Sequence, residues 1–582
     1  MKKKNTDNKF LMVSALAGAT AAAAAIYANK KYKENKENEE NKEIKGIKEN
    51  IITFRDYGDR QAYFIGGGLA SMAGAAYLIR DCDFKGENIH IIEGMNILGG
   101  SNDGAGDIQN GFICRGGRML NEETYENFWE LFSTIPSIED DKKSVTEEIL
   151  NFDHQHPTKA QARLIDKFGM IQDVSSMGFN NKDRLLLGKL IITPESKLDN
   201  LTIEDWFKSS PHFFETNFWY MWQTTFAFQK WSSLFEFKRY MERMIFEFPR
   251  IETLEGVTRT QYNQYESVIL PIKEYLEKAG VDFSIRCTVT DLDFKDGDGI
   301  TVTGIHCDYD GEEKIIELNS GDICIMTNGC MTDCATLGDF NTPAEYNPSK
   351  PISGELWAKI AAKKPGLGNP EPFFNHPEET NWESFTVTCK GNSLLKKIEK
   401  FSGNIPGSGA LMTFKDSNWL MSIVVAAQPH FKNQPLDTTI FWGYGLYTEK
   451  EGNFVKKPMR DCTGEEIMIE LLHHLHFENE KDEIMESIIN VIPCMMPYID
   501  SQFQPRKMTD RPEVVPKGST NFAMISQFVE IAEDMVFTEE YSVRAARIAV
   551  YKLLGIDKEI CRVTPYKRNP KILKTAIKTS YR

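Results

Sequence analysis

The chain is 582 residues long, with 41% hydrophobic and 26% charged residues, which is an ordinary balance for a globular protein. This length is too great for one simple core and predicts several lobes. The formal net charge of -16 argues against a nucleic-acid partner, which would need a basic surface. An acidic substrate remains compatible with it, because a local pocket can be basic or polar.

The eleven cysteines are scattered and form no Cys-x-x-Cys pair, so the sequence signals neither a zinc site nor a disulfide framework. Reduced thiols in a reducing compartment are the simpler interpretation. His154 and His156 lack a matched third ligand, and the histidines at 473–476 are expected at a surface. We therefore predict no metal site.

The N-terminal segment predicts a membrane anchor. After a lysine-rich tail at residues 1–9, residues 10–28 carry no charge over nineteen positions, close to the ~20 residues that a membrane helix needs. Four lysines precede this segment and seven follow it by residue 48, which places the rest of the chain at the cytoplasmic face of the membrane. A cleaved secretory signal and a soluble alanine-rich helix of a cytoplasmic protein are the alternatives. Residues 29–50 are nearly all Lys, Glu and Asn, and predict a solvated linker or a charged helix.

A dinucleotide-binding motif follows the linker. Residues 62–65 predict a buried strand, and a glycine-rich turn and a helical run to residue 80 come directly after it. Gly66 permits the tight turn, Gly68 lets the backbone approach a pyrophosphate, and Ser71 takes the third small position of the motif. The N-terminus of the helix would then face the phosphates with its positive end.

A second predicted strand, at 88–92, ends in Glu93, which comes 27 residues after Gly66. An acid at this place accepts a ribose hydroxyl and argues against a 2′-phosphate. Gly99, Gly100 and Ser101 follow, and a glycine pair in this position is typical of FAD enzymes with the glutathione-reductase-like fold. FAD is therefore predicted rather than NAD.

A later segment, 322–329, predicts a short strand that ends in a small polar turn. It resembles the second FAD-side motif of those enzymes, and Asn328 within it is predicted to face the adenine side. The FAD domain is therefore predicted to be assembled from segments that are separated in sequence.

More specific motifs start at Arg115-Gly-Gly-Arg118, which runs into MLNEETYENFWELF at 119–132. Further motifs follow in order: TTFAFQ at 224–229, EFKRY at 236–240, YNQY at 262–265, QPHF at 428–431, GYGLY at 443–447 and VFTEEYS at 536–542. Over about residues 55–555 the chain is similar to the oleate hydratases, also called myosin-cross-reactive antigens.

The resemblance implies an FAD-containing hydro-lyase. Such an enzyme adds water across the cis-9 double bond of an oleate-like fatty acid to give a 10-hydroxy fatty acid, and its FAD does no net redox chemistry. The implied fold is α/β, with a Rossmann-like, glutathione-reductase-like FAD domain from discontinuous segments and with helical and mixed substrate lobes. We place these regions at 51–150 (first FAD-binding segment), 151–260 (helical lobe), 261–345 (second FAD-binding segment), 346–504 (mixed lobe) and 505–582 (FAD-closing segment and tail).

Hydration of an isolated alkene needs a proton donor and an activated water on opposite faces of the double bond. The resemblance assigns the proton donor to Tyr240. The family's water-activating carboxylate falls on Met119, which cannot take a proton. Glu122 and Glu123 lie just downstream in a loop with one extra residue, and we predict that one of them supplies the missing base. Acids at the start of a helix also have an ordinary structural explanation.

The resemblance also assigns residues that bind the fatty-acid carboxylate. Gln264 and His430 match two of them, whereas the other two positions hold Val424 and Ala426. Half of the polar clamp is therefore missing. Arg118 is expected to lie along the flavin.

Two alternatives follow from the departures at Met119, Val424 and Ala426. The first is an FAD-dependent oxidoreductase or double-bond isomerase that acts on a lipid. The second is a non-catalytic protein that binds FAD or lipid.

Overall fold

The structure is a computed structural model that describes residues 57–102, 104–115, 119–409 and 411–582. The predicted anchor at 10–28, the segments on either side of it and Arg118 lie outside the described residues. No helix among the described residues combines the length and the apolar character needed to cross a bilayer.

The strands of the described chain have the following bounds: β1 (Ala62–Ile65), β2 (Ile89–Ile92), β3 (Gly104–Asp107), β4 (Gly111–Cys114), β5 (Leu164–Ile165), β6 (Asp282–Ser284), β7 (Cys287–Phe294), β8 (Val302–Tyr309), β9 (Glu312–Glu317), β10 (Ile323–Thr327), β11 (Thr336–Leu337), β12 (Trp382–Lys390), β13 (Leu411–Phe414), β14 (Ser422–Val424), β15 (Thr438–Gly445), β16 (Ile488–Met496) and β17 (Phe522–Ile525).

The α-helices have the following bounds: α1 (Leu69–Cys82), α2 (Glu126–Phe132), α3 (Val145–Gln155), α4 (Asn181–Ile192), α5 (Ile203–Phe207), α6 (Asn217–Phe226), α7 (Leu234–Arg243), α8 (Leu270–Lys278), α9 (Ile352–Lys363), α10 (Glu371–Phe374), α11 (Pro377–Thr380), α12 (Ser393–Ser402), α13 (Gly464–His474), α14 (Lys481–Ser487), α15 (Glu539–Leu554) and α16 (Pro570–Thr579). A π-helical turn, Tyr265–Ile269, leads directly into α8.

A parallel sheet forms the dinucleotide-binding half, with the strand order β17-β10-β1-β2-β6 in the described chain. β1 lies between β10 and β2, with Ala62 opposite Ile323 and Ile89. Except for the edge strand β6, the strands read as short, mostly apolar runs, because helices cover a parallel sheet on its faces. They come from widely separated parts of the sequence, as the fold prediction requires.

Helix α1 starts immediately after the glycine turn and packs very closely on β1. A Cβ atom placed on Gly74 would lie 2.5 Å from the Phe64 ring. Ser71, in the first turn of the same helix, is fully buried. Helix α15 packs against α1 and β17, so the C-terminal part of the chain closes this half of the molecule.

A mixed sheet forms the second half, in the order β11-β16-β12-β15-β14-β13-β5. The inner strand β12 pairs antiparallel with β15 and β16, and every residue of β12 except the last is buried. Strand β5 pairs parallel with β13, so residues 164 and 165 tie the mainly helical stretch from α3 to α7 to this sheet.

Helix α7 is unusual because all ten of its residues are buried although half of them are charged. Ion pairs balance these charges. Arg239 contacts Glu530 at 2.6 Å, and Arg243 contacts Asp534 at 3.3 Å. Buried charges are tolerated only when they are paired in this way. The pairing lets α7 carry Tyr240 into the core.

Candidate active site

The first cavity lies at the carboxyl ends of β1, β2 and β10, where open α/β sheets bind their ligands. It contains about 1500 Å³ of space outside the protein atoms, including solvent at its mouth. Of the residues predicted to bind FAD, six line it: Gly66, Gly68, Glu93, Gly99, Gly100 and Ser101.

The glycine turn leaves its backbone open towards this cavity. Gly66 has a φ of +96°, which favours glycine, and its N–H donates to the Ile92 carbonyl at 2.8 Å. A Cβ atom on Gly68 would have no neighbour nearer than the Gly100 Cα, at 3.9 Å. The residue that precedes α1 thus presents bare backbone at the N-terminus of the helix, where a diphosphate binds.

Glu93 is held at the end of β2 by two backbone donors. Its Oε2 accepts from the Gly67 N–H at 2.6 Å, and its Oε1 accepts from the Met95 N–H at 2.8 Å. The carboxylate therefore lies beside the glycine turn, at the place where a ribose hydroxyl is recognised. The bare turn, the helix N-terminus and this acid together fit a dinucleotide such as FAD.

Two predicted FAD residues are not among those that line the cavity. Ser71 is buried within the first turn of α1. The Asn328 side chain points towards the 526–528 segment, where its Nδ2 donates to the Phe528 carbonyl at 3.1 Å and its Oδ1 accepts from the Ser526 hydroxyl at 2.7 Å. A contact of Asn328 with the adenine side stays a prediction.

The sequence interpretation missed a polar cluster on the far wall of this cavity. Cys330, Thr332 and Asp333 line it directly after β10, and the Thr332 hydroxyl lies 3.2 Å from that of Ser101. Burial raises the pKa of the Asp333 carboxyl to about 6, although a hydrogen bond from Ser353 opposes the shift. The cluster directly follows the recognised 322–329 motif, so extension of that motif would have found it.

The second cavity lies between α7, the mixed sheet and the segment 535–539. It contains about 1150 Å³ of space outside the protein atoms, including solvent at its mouth. Tyr240, Gln264 and His430 all line it, as do Met119, Val424 and Ala426. The structure thus gathers residues from 119 to 430 into one predominantly apolar chamber, which is typical of a small-molecule site.

Tyr240 projects from α7 into this chamber and is 1% exposed. Its hydroxyl donates to the Val536 carbonyl at 2.5 Å, and the rings of Phe226 and Phe228 meet it edge-on. Burial raises the pKa of Tyr240 well above its ordinary value, and nearby carboxylates act in the same direction. The phenol therefore keeps its proton at physiological pH, as a proton donor must.

His430 and Gln264 form a polar end of the chamber. The backbone N–H of Asn263 donates to the His430 carbonyl at 3.0 Å, which ties the two segments together. Burial lowers the pKa of His430 to about 4, and the charge of nearby Arg259 adds to the shift. Arg259 lines the chamber too, and the sequence interpretation did not single it out.

The structure does not bring Glu122 or Glu123 into the chamber. Glu122 is about half exposed and lies 3.5 Å from His154, whereas Glu123 forms a surface ion pair with Arg250 at 2.7 Å. A catalytic role for either stays a prediction. Met119 does line the chamber, as Tyr240 does.

The two cavities share one wall, formed by Phe537, Thr538 and Glu539. Glu539 is 7% exposed, and its Oε1 accepts from the Asn102 Nδ2 at 2.7 Å. A cofactor in the first cavity would therefore border the substrate chamber along this wall. The sequence motif at 536–542 indicates a family likeness, but it does not indicate that residues 537–539 lie between two cavities.

Known proteins resemble the chain at the level of both sequence and fold. A linoleate hydratase of Lactiplantibacillus plantarum is 41% identical over 562 residues, which cover 90% of this chain and 98% of that protein. An oleate hydratase of Streptococcus pyogenes is 39% identical over 514 residues, which cover 86% of each protein. The solved structure of cyclohexylamine oxidase from Brevibacterium oxydans matches 86% of this chain and 99% of its own, with a TM-score of 0.52 at 12% identity.

The last likeness bears on the fold alone and agrees with the α/β dinucleotide-binding architecture. The two hydratases confirm the resemblance that the sequence motifs indicated. A profile of the MCRA family matches residues 59–551, which is most of the chain. The chain therefore belongs to the MCRA family.

Proposed function

We propose that this protein is an FAD-containing fatty acid hydratase, a hydro-lyase that adds water to a carbon–carbon double bond of an unsaturated fatty acid. The observation that carries the proposal is the chamber in which Tyr240, Gln264 and His430 meet, separated by one shared wall from the dinucleotide cavity. Two hydratases that resemble the chain over most of its length support the same activity.

The residues of the chain account for the main requirements of the reaction. The apolar chamber takes the hydrocarbon chain out of water and excludes bulk solvent from the reacting carbons. Tyr240 holds the proton that one alkene carbon receives, and the other carbon takes the oxygen of water. Gln264 and His430 lie at the polar end, where a carboxylate would fix the position of the double bond relative to Tyr240.

FAD would bind through the glycine turn, Glu93 and the pair Gly99 and Gly100. When bound, it would supply structural and electrostatic support to the neighbouring chamber without net redox chemistry. We further propose that the substrate is oleate-like, with a cis-9 double bond, and that the product is the 10-hydroxy fatty acid.

The test uses the full-length protein loaded with FAD, with oleic or linoleic acid in oxygen-18 water. Mass spectrometry should find one labelled hydroxyl at carbon 10. Tyr240→Phe should lower turnover by at least about 100-fold, because general acid catalysis contributes on that order. Tyr498→Phe is the matched control: Tyr498 is also buried and its hydroxyl also donates to a backbone carbonyl, that of Ser349 at 2.9 Å, but it lies outside both cavities.

Other outcomes would favour the alternatives. A flavin that the fatty acid reduces would indicate an oxidoreductase, and a shifted double bond without oxygen-18 uptake would indicate an isomerase. Stable binding of FAD and of fatty acid without any product would indicate a non-catalytic binding protein.

We also propose that residues 10–28 hold the enzyme at the cytoplasmic face of the membrane, on the lysine distribution alone. Deletion of these residues should move the protein from the membrane fraction to the soluble fraction without loss of turnover in detergent-free assays.

A further inference from the structure

Among the described residues that line the substrate chamber, Arg259 is the one arginine or lysine. Its guanidinium forms no ion pair with any of the described residues. Its Nε and Nη2 atoms are shut off from solvent and make no hydrogen bond. The nearest acid that affects it, Asp153, instead accepts from the backbone N–H of Arg259 at 3.0 Å. Buried guanidinium groups are normally paired, so this arrangement calls for an anion.

The surroundings of Arg259 limit what that anion can be. Thr260 and Gln264 line the same end of the chamber, with the Gln264 Nε2 3.5 Å from the Thr260 hydroxyl. His430 lies close enough for the Arg259 charge to lower the pKa of its imidazole. The rest of the chamber is largely apolar. An anion with a long apolar tail matches this combination, and the planar guanidinium can bind a carboxylate through two parallel hydrogen bonds.

We infer that Arg259 binds the carboxylate of the fatty acid, together with Gln264 and His430. This inference rests on the proposed function and deepens it, because it selects free fatty acids over their esters. It also explains how the chamber can hold a carboxylate although Val424 and Ala426 provide only hydrocarbon there.

Binding of a saturated fatty acid tests this assignment separately from turnover, because stearate has no double bond to hydrate. Titration calorimetry on the FAD-loaded protein would compare stearate with methyl stearate. Arg259→Met should weaken stearate binding by at least about tenfold, because two charge-assisted hydrogen bonds are lost. Binding of methyl stearate should change little. Arg259→Lys should restore part of the stearate affinity.

Arg562→Met is the control for a simple loss of positive charge, because Arg562 lies at the surface with its side chain 87% exposed. Unchanged stearate affinity in Arg259→Met would overturn the assignment, as would equal losses for stearate and its methyl ester. Failure of the unaltered protein to bind stearate would also overturn it. If stearate binds as expected but no hydroxy acid forms from oleate, the assignment stands and the hydratase proposal fails.

A separate observation concerns a carboxylate in the lining of the same chamber. Among the described residues that line it, Glu539 is the single carboxylate. It is buried, and the Asn102 amide orients one of its oxygens at 2.7 Å. The Tyr240 hydroxyl is bound to Val536, three residues earlier in the same segment. One segment therefore positions both the phenol and the carboxyl group.

We propose that Glu539 accepts the proton of the attacking water, the role for which Met119 is unsuited. One alkene carbon forms a C–H bond with the proton of Tyr240, and the other forms a C–O bond with water. One O–H bond of that water breaks, and its proton passes to the Glu539 carboxylate. After the product leaves and water enters the chamber again, the proton on the Glu539 carboxyl passes through this water to the Tyr240 phenolate. This restores both groups, so that the net change is addition of one water.

A purely structural role for Glu539 is the competing explanation, since acids in the first turn of a helix stabilise it and Glu539 starts α15. Turnover per bound flavin distinguishes the two. Glu539→Gln should lower kcat by about 100-fold or more while stearate affinity is kept, and Glu539→Asp should recover part of the rate. Added formate should raise the rate of Glu539→Ala, because it can replace the lost carboxylate.

Glu465→Gln is the matched control, because Glu465 lies in the first turn of α13, as Glu539 does in that of α15, but is not part of the chamber lining. Wild-type kcat per bound flavin in Glu539→Gln would overturn the proposal. So would a loss of turnover that reflects only lost flavin, an equal loss in Glu465→Gln, or a 100-fold loss in Glu122→Gln or Glu123→Gln with Glu539→Gln unaffected.

Discussion

At the scale of single residues, His430 couples the substrate chamber to pH. Burial, with the Arg259 charge, lowers its pKa to about 4, so the folded protein holds a neutral imidazole, whereas the unfolded chain titrates near 6.5. The unfolded state therefore binds more protons between these values. The stability that His430 contributes is complete above about pH 6.5 and is lost as the pH falls towards 4, by up to about 3 kcal/mol.

We expect the His430→Gln variant to lose less thermal stability between pH 7 and pH 4.5 than the unaltered protein. Scanning calorimetry at several pH values would measure the difference. His376→Gln, at a half-exposed surface histidine, should keep the full acid sensitivity. An unchanged pH profile in His430→Gln would show that this imidazole is not held neutral by the fold.

Two glycines in helices differ in what surrounds them. A Cβ atom on Gly74 would lie 2.5 Å from the Phe64 ring beneath α1, whereas a Cβ atom on Gly188 in α4 would meet nothing within 4 Å. Gly74→Ala should therefore destabilise the protein by about 1–3 kcal/mol through overpacking and should weaken FAD retention. Gly188→Ala should stabilise it by up to about 1 kcal/mol. Denaturant unfolding and flavin content would check both, and equal effects would contradict the close packing of α1 on β1.

At the scale of elements, helix α7 depends on partners from distant parts of the chain. Arg243 donates to the Thr124 carbonyl at 2.7 Å and forms ion pairs with Glu126 and Asp534. Asp534 in turn accepts from the Met535 N–H at 3.0 Å, at the start of the segment that ends in Glu539. The network therefore fixes the position of the segment that holds the Tyr240 hydroxyl.

Arg243→Met should cost about 3–5 kcal/mol, because it leaves buried carboxylates with too little positive charge. It should also lower kcat, since the Val536 carbonyl would no longer hold the phenol in place. Lys278→Met, which removes a surface pair with Glu274, should cost less than about 1 kcal/mol and leave turnover intact. Thermal unfolding and kcat would be measured together, and a stable but inactive Arg243→Met would indicate a direct catalytic role instead.

The elements also show which regions of the site can be predicted from sequence. The glycine turn and Glu93 were predictable because one strand, one turn and the next strand contain the whole motif. The burial of α7 was not, because EFKRY looks like a half-exposed amphipathic helix. Its charges are balanced by Glu530 and Asp534, which lie about 290 residues later in the sequence.

At the scale of the whole molecule, the α/β fold and the substrate chamber follow from ordered motifs over most of the chain. The family likeness predicted that Tyr240, Gln264 and His430 act on the same substrate molecule. The structure brings all three into one cavity. It could not have indicated Arg259 or Glu539. Arg259 stands out because its buried guanidinium has no ion-pair partner among the described residues, and Glu539 because it lies between the two cavities. Both features arise only when distant segments of the chain pack together.

The wall of Phe537, Thr538 and Glu539 faces both cavities, so an occupant on either side touches the same three residues. If each ligand orders this wall, each lowers the cost of binding the other. Thermodynamic linkage then requires that fatty acid tighten FAD by the same factor by which FAD tightens fatty acid. Retention of the cofactor would thereby report on lipid supply, and flavin would be lost most readily from protein that has no fatty acid to hold.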